Sequence, residues 1–407
     1  MKKHSSLLLL ALFAFNYAHA GDWTQFRGTE GQGHARAENL PWRWDAATNV
    51  KWKTPLAGQA WSSPVLGGGK VFLTNAVPAG EGVSLRALRL DAETGKVEWD
   101  AELFEIEKAP RIHRKNSHAS PTPFLEAGRL YVHFGPHGTA CLDLAGKVIW
   151  KKRYSYSPVH GSGCSPVIEG DLLLFSADGA REPALYALDK NTGEVRWKTP
   201  RDSAAKRKFS FCTPLVIEVD GRRQIISPAS DYAFAYDLSG RQLWKFHYPG
   251  GYSVVPRPIY AHGLVYICSG YDRPILHAVR PTGKGDVTRT HLGWKVDKNA
   301  PHNASVVVVG DLFFMAADTG VVSCLNARSG ELLWRERVSG SCSASLLHAE
   351  GRVYLIDESG ETFVFAARDK YELLARNPLN ERALASIAAT DGALFIRTAS
   401  ALRRIEE

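Results

Sequence analysis

At 407 residues and 44% hydrophobic composition the chain can bury an extensive core, and length alone suggests two or three domains. The formal net charge is +8, but Lys and Arg are spread along the sequence without a dense run. That argues against nucleic acid and fits an acidic glycan or an anionic surface only weakly.

Lys2 and Lys3 precede an apolar run from Leu7 to Phe15, and Ala18-His19-Ala20 follows before Gly21. This is the three-part pattern of an export signal cleaved near Ala20 (residues 1–20), and the run is too short to span a bilayer. Loss of the two lysines lowers the formal charge from +8 to +6. The absence of Cys at the cleavage point argues against a lipoprotein. A periplasmic or secreted location is therefore expected, with no transmembrane segment.

Residues 21–48 show no lasting alternation. With Trp23, Phe26, Trp42 and Trp44 they read as an arm that packs its aromatics against the rest of the chain, and Asn49 to Lys53 reads as the first strand. From there to residue 407 one unit repeats and overrides the length prior. Each unit has a Ser/Thr-Pro lead-in, an apolar strand, a Gly turn, a second apolar strand, an Asp-turn-Gly motif and a strand carrying Trp. The motif is clearest at Leu90-Asp91-Ala92-Glu93-Thr94-Gly95-Lys96-Val97-Glu98-Trp99. Asp or Asn bonds its own backbone there and Gly supplies positive φ, so the motif is a tight turn between strands.

Lead-ins fall at Ser63-Pro64, Ser120-Pro121, Ser165-Pro166, Thr213-Pro214 and Val255-Pro256, then without Pro at Ser305, Ser345 and Ser386. The Trp positions are Trp52, Trp99, Trp150, Trp197, Trp244, Trp294 and Trp334, 40–51 residues apart, with Leu374 where an eighth would stand. Four strands at that period predict an all-β, eight-bladed β-propeller with four-stranded antiparallel blades. The first strand lacks three inner partners and the last three lack an outer one. Ala401 to Ile405 should therefore pair with Val50 to Trp52 and close the ring. The seven Trp side chains are expected to dock neighbouring blades at the outer part of the ring. Two insertions, Glu102 to Ser117 and Pro281 to Thr290, are expected on the faces.

Six cysteines in an exported chain invite disulfides. Cys164, Cys212 and Cys342 precede inner strands, however, and Cys141 and Cys324 share another repeat position. Equivalent places on different blades are too far apart to bridge, so buried free thiols are expected.

The Asp-x-x-Thr-Gly-x-x-x-Trp copies resemble the repeats of the pyrroloquinoline-quinone (PQQ) propeller superfamily, which includes quinoprotein dehydrogenases and BamB-type outer-membrane assembly factors. The resemblance runs from about Val50 to the C-terminus and specifies fold far better than function. For the dehydrogenases it implies a quinone over the channel, Ca²⁺ held by carboxylates and an amide, and an adjacent Cys pair. This chain has no adjacent Cys pair, and Asp297 and Glu381 are the carboxylates nearest the lead-ins. A hard cation wants several charged oxygens. Neither PQQ with Ca²⁺ nor any other cofactor or metal is expected.

The lead-ins instead collect basic and aromatic residues. His118, His160, Tyr252, Arg257, Lys298 and His302 should converge at one end of the channel, joined by Lys115, Asn116, Lys208, Asn303 and Arg382. Such a positive mouth focuses anions, and Arg257 can fork onto a carboxylate or phosphate. The expected function is a non-catalytic exported binding or scaffold module, monomeric. Its partner would be an envelope protein or an acidic small molecule or glycan, as the BamB-type resemblance implies for envelope assembly. A lyase-like glycan enzyme, with Arg257 or Lys298 on a uronate and a His or Tyr252 taking the proton, is the alternative; a PQQ-dependent oxidoreductase is the second.

Overall fold

In the computed structural model, which describes residues 21–407, the repeat folds into eight antiparallel sheets; apart from a short parallel strand that leaves blade five to join blade four, each is made of strands consecutive in sequence, with one exception. That exception closes the ring. Blade eight is built from Ala388–Thr390, Ala393–Arg397 and Ala401–Glu406, and its outermost strand is Val50–Pro55 from the other end of the chain. Trp52 stands opposite Arg404 and Pro55 opposite Ala401. The pairing expected from the two incomplete units is present, and it removes the free edges that an open array would expose. The export signal read in residues 1–20 lies outside the described residues. Among the described residues no helix is long and apolar enough to cross a membrane.

The Asp-turn-Gly-Trp stretch joins third strand to fourth and docks one blade on the next. Asp91 Oδ1 accepts the Thr94 amide at 2.9 Å, and Gly95 (φ 70°) lies flat on Trp52 of the preceding unit. A Cβ at Gly95 would fall 2.5 Å from that ring. The same contact recurs for Gly146 on Trp99, Gly193 on Trp150, Gly240 on Trp197 and Gly330 on Trp294. Each indole then donates Nε1–H to a carbonyl of the next blade's turn: Trp52 to Ala92, Trp99 to Leu144, Trp150 to Lys190, Trp197 to Leu238, Trp294 to Ala327 and Trp334 to Arg368. Trp334 has no glycine above it and meets Tyr371 edge-on instead.

Trp244 departs from this pattern. Its Nε1–H goes to Gln224 within its own blade, and it is fully buried. The Pro281 to Thr290 insertion explains why: Gly285–Asp286 adds a fifth, parallel strand outside Gln242–His247. This insertion therefore seals the outer rim of blade four and does not lie on a face. The other insertion divides. Its first residues prolong the fourth strand of blade one, Val97–Ile106, and only the remainder forms a loop.

All six cysteines are free and buried. Burial pushes the Cys164, Cys268 and Cys324 thiols up to about 12, which keeps them protonated. Cys141 and Cys324 do share a place, opposite Trp150 and Trp334. Cys342 does not share one with Cys164 and Cys212, because it precedes its inner strand by two more residues.

Candidate functional site at the channel mouth

At the head of each inner strand one residue faces the next blade. Ser63 N–H donates to Thr122 Oγ1, Thr122 to Ser165, Ser165 to Thr213, Ser305 to Ser345, Ser345 to Ser386, and Ser386 back to Ser63, at 2.9–3.1 Å. The register corrects two lead-ins: those of blades two and five are Thr122-Pro123 and Arg257-Pro258, each two residues beyond Ser120-Pro121 and Val255-Pro256. Arg257 is thus the one residue in the hydroxyl ring without a hydroxyl. Its amide donates to Ser305 Oγ at 2.9 Å, and its Nε–H donates back to Pro214 O on blade four at 3.1 Å.

The arm fills the channel from the other end. Trp23 pairs with Leu66 of blade one, and the Leu125 amide of blade two donates to Thr24 O. Across the axis Gln32 Oε1 accepts the Tyr260 amide of blade five, and Ala35 N–H donates to His348 O of blade seven. Trp23 is buried in this packing, and Phe26 reaches far enough through to line the opposite mouth; Trp44 is buried farther out, where its amide donates to Asn377 Oδ1 on the outer strand of blade seven.

Above Phe26 and the hydroxyl ring opens a cavity of about 800 Å³. Half of its rim is a continuous arc of rings, with centroids 4.8–6.1 Å apart: His160, Phe209, Tyr252, Tyr271 and His302, with Phe211 behind Phe209. Tyr271 is 52% exposed. Two residues of this rim, His160 (φ 68°) and Ser253 (φ 54°), hold left-handed backbone, a strain of order 1 kcal/mol each. The other half is polar. Lys115, on the loop before blade two, spans the opening and places Nζ 2.7 Å from Glu358 of blade seven and 3.9 Å from Asp318 of blade six. Asp318 also accepts the His302 and Asn303 amides at 3.0 and 2.9 Å. Burial alone would raise its carboxyl, but the His302 side chain, the Asn303 amide and the Lys115 charge together hold it below the usual carboxylate range.

Of the residues singled out in the sequence, His160, Tyr252 and His302 meet at this mouth, with Lys115, Asn116 and Asn303. Three do not. His118 lies in a separate cleft of about 340 Å³ beside Ser117 and Gln59, where burial lowers its pKa. Lys298 is exposed and does not line the cavity. Arg257 is 2% exposed and turned into the channel, where Nη1 donates to Gln25 Oε1 and Phe26 O. The neighbouring Arg207 takes the place given to Lys208, its guanidinium 4.3 Å over Tyr252 and 3.2 Å from Asp272. At the mouth Lys115 and Arg207 are both paired with carboxylates, whereas Arg114, which also lines the cavity, has no ion pair among the described residues.

Two chemistries can be tested on this geometry. A His and a Tyr sharing one substrate proton would suit a lyase, but Tyr252 donates its hydroxyl to Asp272 at 2.9 Å, and Tyr271 packs between it and His302. A quinone–Ca²⁺ site would need several free oxygens on one ion. Asp318 is committed to His302 and Asn303, Glu358 to Lys115 and Ser343, and no group of three or more His, Cys, Asp or Glu among the described residues is placed to hold a metal. The residues present do not fit that group.

Fold and site together define an eight-bladed propeller of PQQ-type repeats, with its channel plugged at one end and open over an aromatic-rimmed cavity at the other. A family model described as outer membrane protein assembly factor BamB matches residues 38–154, 87–292 and 285–394, and the chain belongs to that family. It is 22% identical over 350 residues to the outer membrane protein assembly factor BamB of Yersinia pestis, covering 83% of this chain and 75% of that protein. Its similarity to subunit 1 of the methanol dehydrogenase of Paracoccus denitrificans is 26% identity over 141 residues, 30% of this chain and 22% of that protein. The crystal structure of BamB from Moraxella catarrhalis superposes with a TM-score of 0.62 at 13% identity, covering 87% of this chain and 96% of that one.

Proposed function

We propose that the chain is an exported, non-catalytic binding module that serves outer-membrane protein assembly by taking a segment of a protein partner at the channel mouth. The observation that carries this reading is the arc from His160 through Phe209 and Tyr252 to Tyr271 and His302, which presents ring faces and edges over a cavity of about 800 Å³. Rigid aromatic side chains around a concave surface, with charged side chains at the margin, are the composition of a protein-binding hot spot. Family membership supports this reading of the process, and the three-part N-terminal pattern supports a route out of the cytoplasm.

The test is genetic and quantitative. Removing the chain from its host should lower the amount of folded β-barrel protein in the outer membrane. The wild-type chain should restore that amount, and Phe209→Asp or Tyr271→Asp, at unchanged thermal stability, should not. Full restoration by both variants would remove the mouth from the function.

A further inference from the structure

The channel carries charge that nothing beside it balances. Arg27 on the arm and Arg257 on blade five are each 2% exposed. Arg27 Nη2 donates to Gln32 O and Val306 O, while Arg257 donates to Pro214 O, Phe26 O and the Gln25 side-chain oxygen. All five acceptors are neutral. Among the described residues neither guanidinium forms an ion pair, and residues 1–20 contain no Asp or Glu. Two like charges held near each other away from water are costly unless something neutralises them.

Arg27 is also incompletely bonded: Nε and Nη1 are buried with no partner among the described residues. A guanidinium has five N–H donors and cannot turn any of them into an acceptor. Burial, and for Arg27 also the neighbouring Arg257, lower the two guanidinium pKa values to about 9 and about 10, which still leaves both charged at neutral pH. The arm is shaped around the pair. Gly31 (φ 69°) lies against the Arg257 guanidinium and Gly33 (φ 86°) against that of Arg27, and a Cβ at either would overlap it.

We infer that a halide-sized anion binds in the channel between Arg27 and Arg257 and fastens the arm to the ring. A compact monovalent ion suits the pair better than phosphate, because the Gly31 and Gly33 backbone already lies against both guanidinium heads and most of the other N–H donors are taken by neutral acceptors, which leaves chiefly the two unpaired donors of Arg27. The site is distinct from the mouth and does not depend on the partner proposed above. Because one arginine belongs to the arm and the other to a blade, the ion joins two parts of the chain that pack without a covalent link at that point.

Sodium bromide is the probe. Crystals of the wild-type chain grown or soaked in bromide should show anomalous density between the two guanidinium groups. In thermal unfolding at constant ionic strength, replacing gluconate by chloride should raise Tm, by about 2 °C for each tenfold increase in chloride above the dissociation constant. Arg27→Met should abolish that dependence. An absent anomalous peak at this position, equal Tm in chloride and gluconate, or a chloride effect that survives in a folded Arg27→Met variant would each overturn the inference. The diffraction arm uses the wild-type chain, so it decides the matter even where the variant fails to fold.

Discussion

Lys115 and Glu358 meet across the mouth of the channel at 2.7 Å, although one precedes blade two and the other belongs to blade seven. The contact makes the loop before blade two a strap over the cavity. Its neighbour is held too: Arg114 O accepts from Arg382 of blade eight at 3.2 Å, and the Asn116 side chain donates to His160 O at 2.9 Å. Both partners of the ion pair keep some exposure, so Lys115→Ala should cost under about 1 kcal/mol of global stability. Amide hydrogen exchange across residues 107–117 should nevertheless rise several-fold, since the loop makes few other contacts with the far side of the mouth. Unchanged exchange there would show that the strap is held by its backbone alone.

The hydroxyl ring makes a different demand. Ser305 is 1% exposed and its Oγ accepts the Arg257 amide, so Ser305→Ala leaves a buried N–H unpaired. The expected loss is about 1–3 kcal/mol. It should exceed that of Ser239→Ala, whose hydroxyl bonds Asp237 in an exposed turn, when the two are compared by denaturant unfolding.

The repeat was readable because each Asp-turn-Gly-Trp copy performs one physical job, and a job done between blades must recur at every joint. The lead-ins were less readable. In Ser120-Pro121-Thr122-Pro123 and in Val255-Pro256-Arg257-Pro258 the Pro-containing pair occurs twice, two residues apart. A shift of two preserves which face each side chain takes, so alternation cannot choose between them. That ambiguity hid Arg257's place in the ring and hence its direction.

The site was half legible for a related reason. His160, Tyr252 and His302 precede inner strands and were found from that. Tyr271, Asp318 and Glu358 follow second strands, and antiparallel pairing returns those turns to the same end of the blade. Asp318-Thr319-Gly320 and Glu358-Ser359-Gly360 repeat at corresponding positions, which is the signal that would have located them.

Acid should loosen the protein before its carboxylates titrate. Burial lowers His133 to about 3, and it lowers His34, His137, His277 and His348 to about 4, against 6.5 for a free imidazole. For a histidine kept neutral by folding, the unfolded chain binds the extra proton between the two pKa values. Stability is therefore complete above about pH 6.5 and falls towards pH 4, by up to about 1.4 kcal/mol per pH unit for each such group. His133 is the most enclosed, its ring 4.4 Å from Phe175 and Nδ1 2.8 Å from Thr139 Oγ1. Tm should hold level from pH 7.5 to about 6.5 and then drop steadily to pH 4, and His133→Asn should flatten part of that slope. A flat profile down to pH 4.5 would contradict the burial of these rings.

The blade-docking role of the tryptophans separates Trp150 from Trp244. Trp150 is buried against Gly193 and bonded to Lys190 O of the next blade, so Trp150→Ala removes a contact between blades and should cost about 3–5 kcal/mol. Trp244 is bonded within its own blade and covered by Gly285–Asp286, so Trp244→Ala should cost a similar amount but open a different place. Because the ring is closed by Val50–Pro55, a lost joint cannot fray from an end, and Trp150→Ala should lower the single unfolding transition without splitting it. Hydrogen exchange should rise on both Val148–Lys152 and Ala184–Asp189 in Trp150→Ala. In Trp244→Ala it should rise on Gln242–His247 and residues 281–290. Exchange confined to one blade in the Trp150 variant would mean that the indole stabilises its own sheet and not the joint.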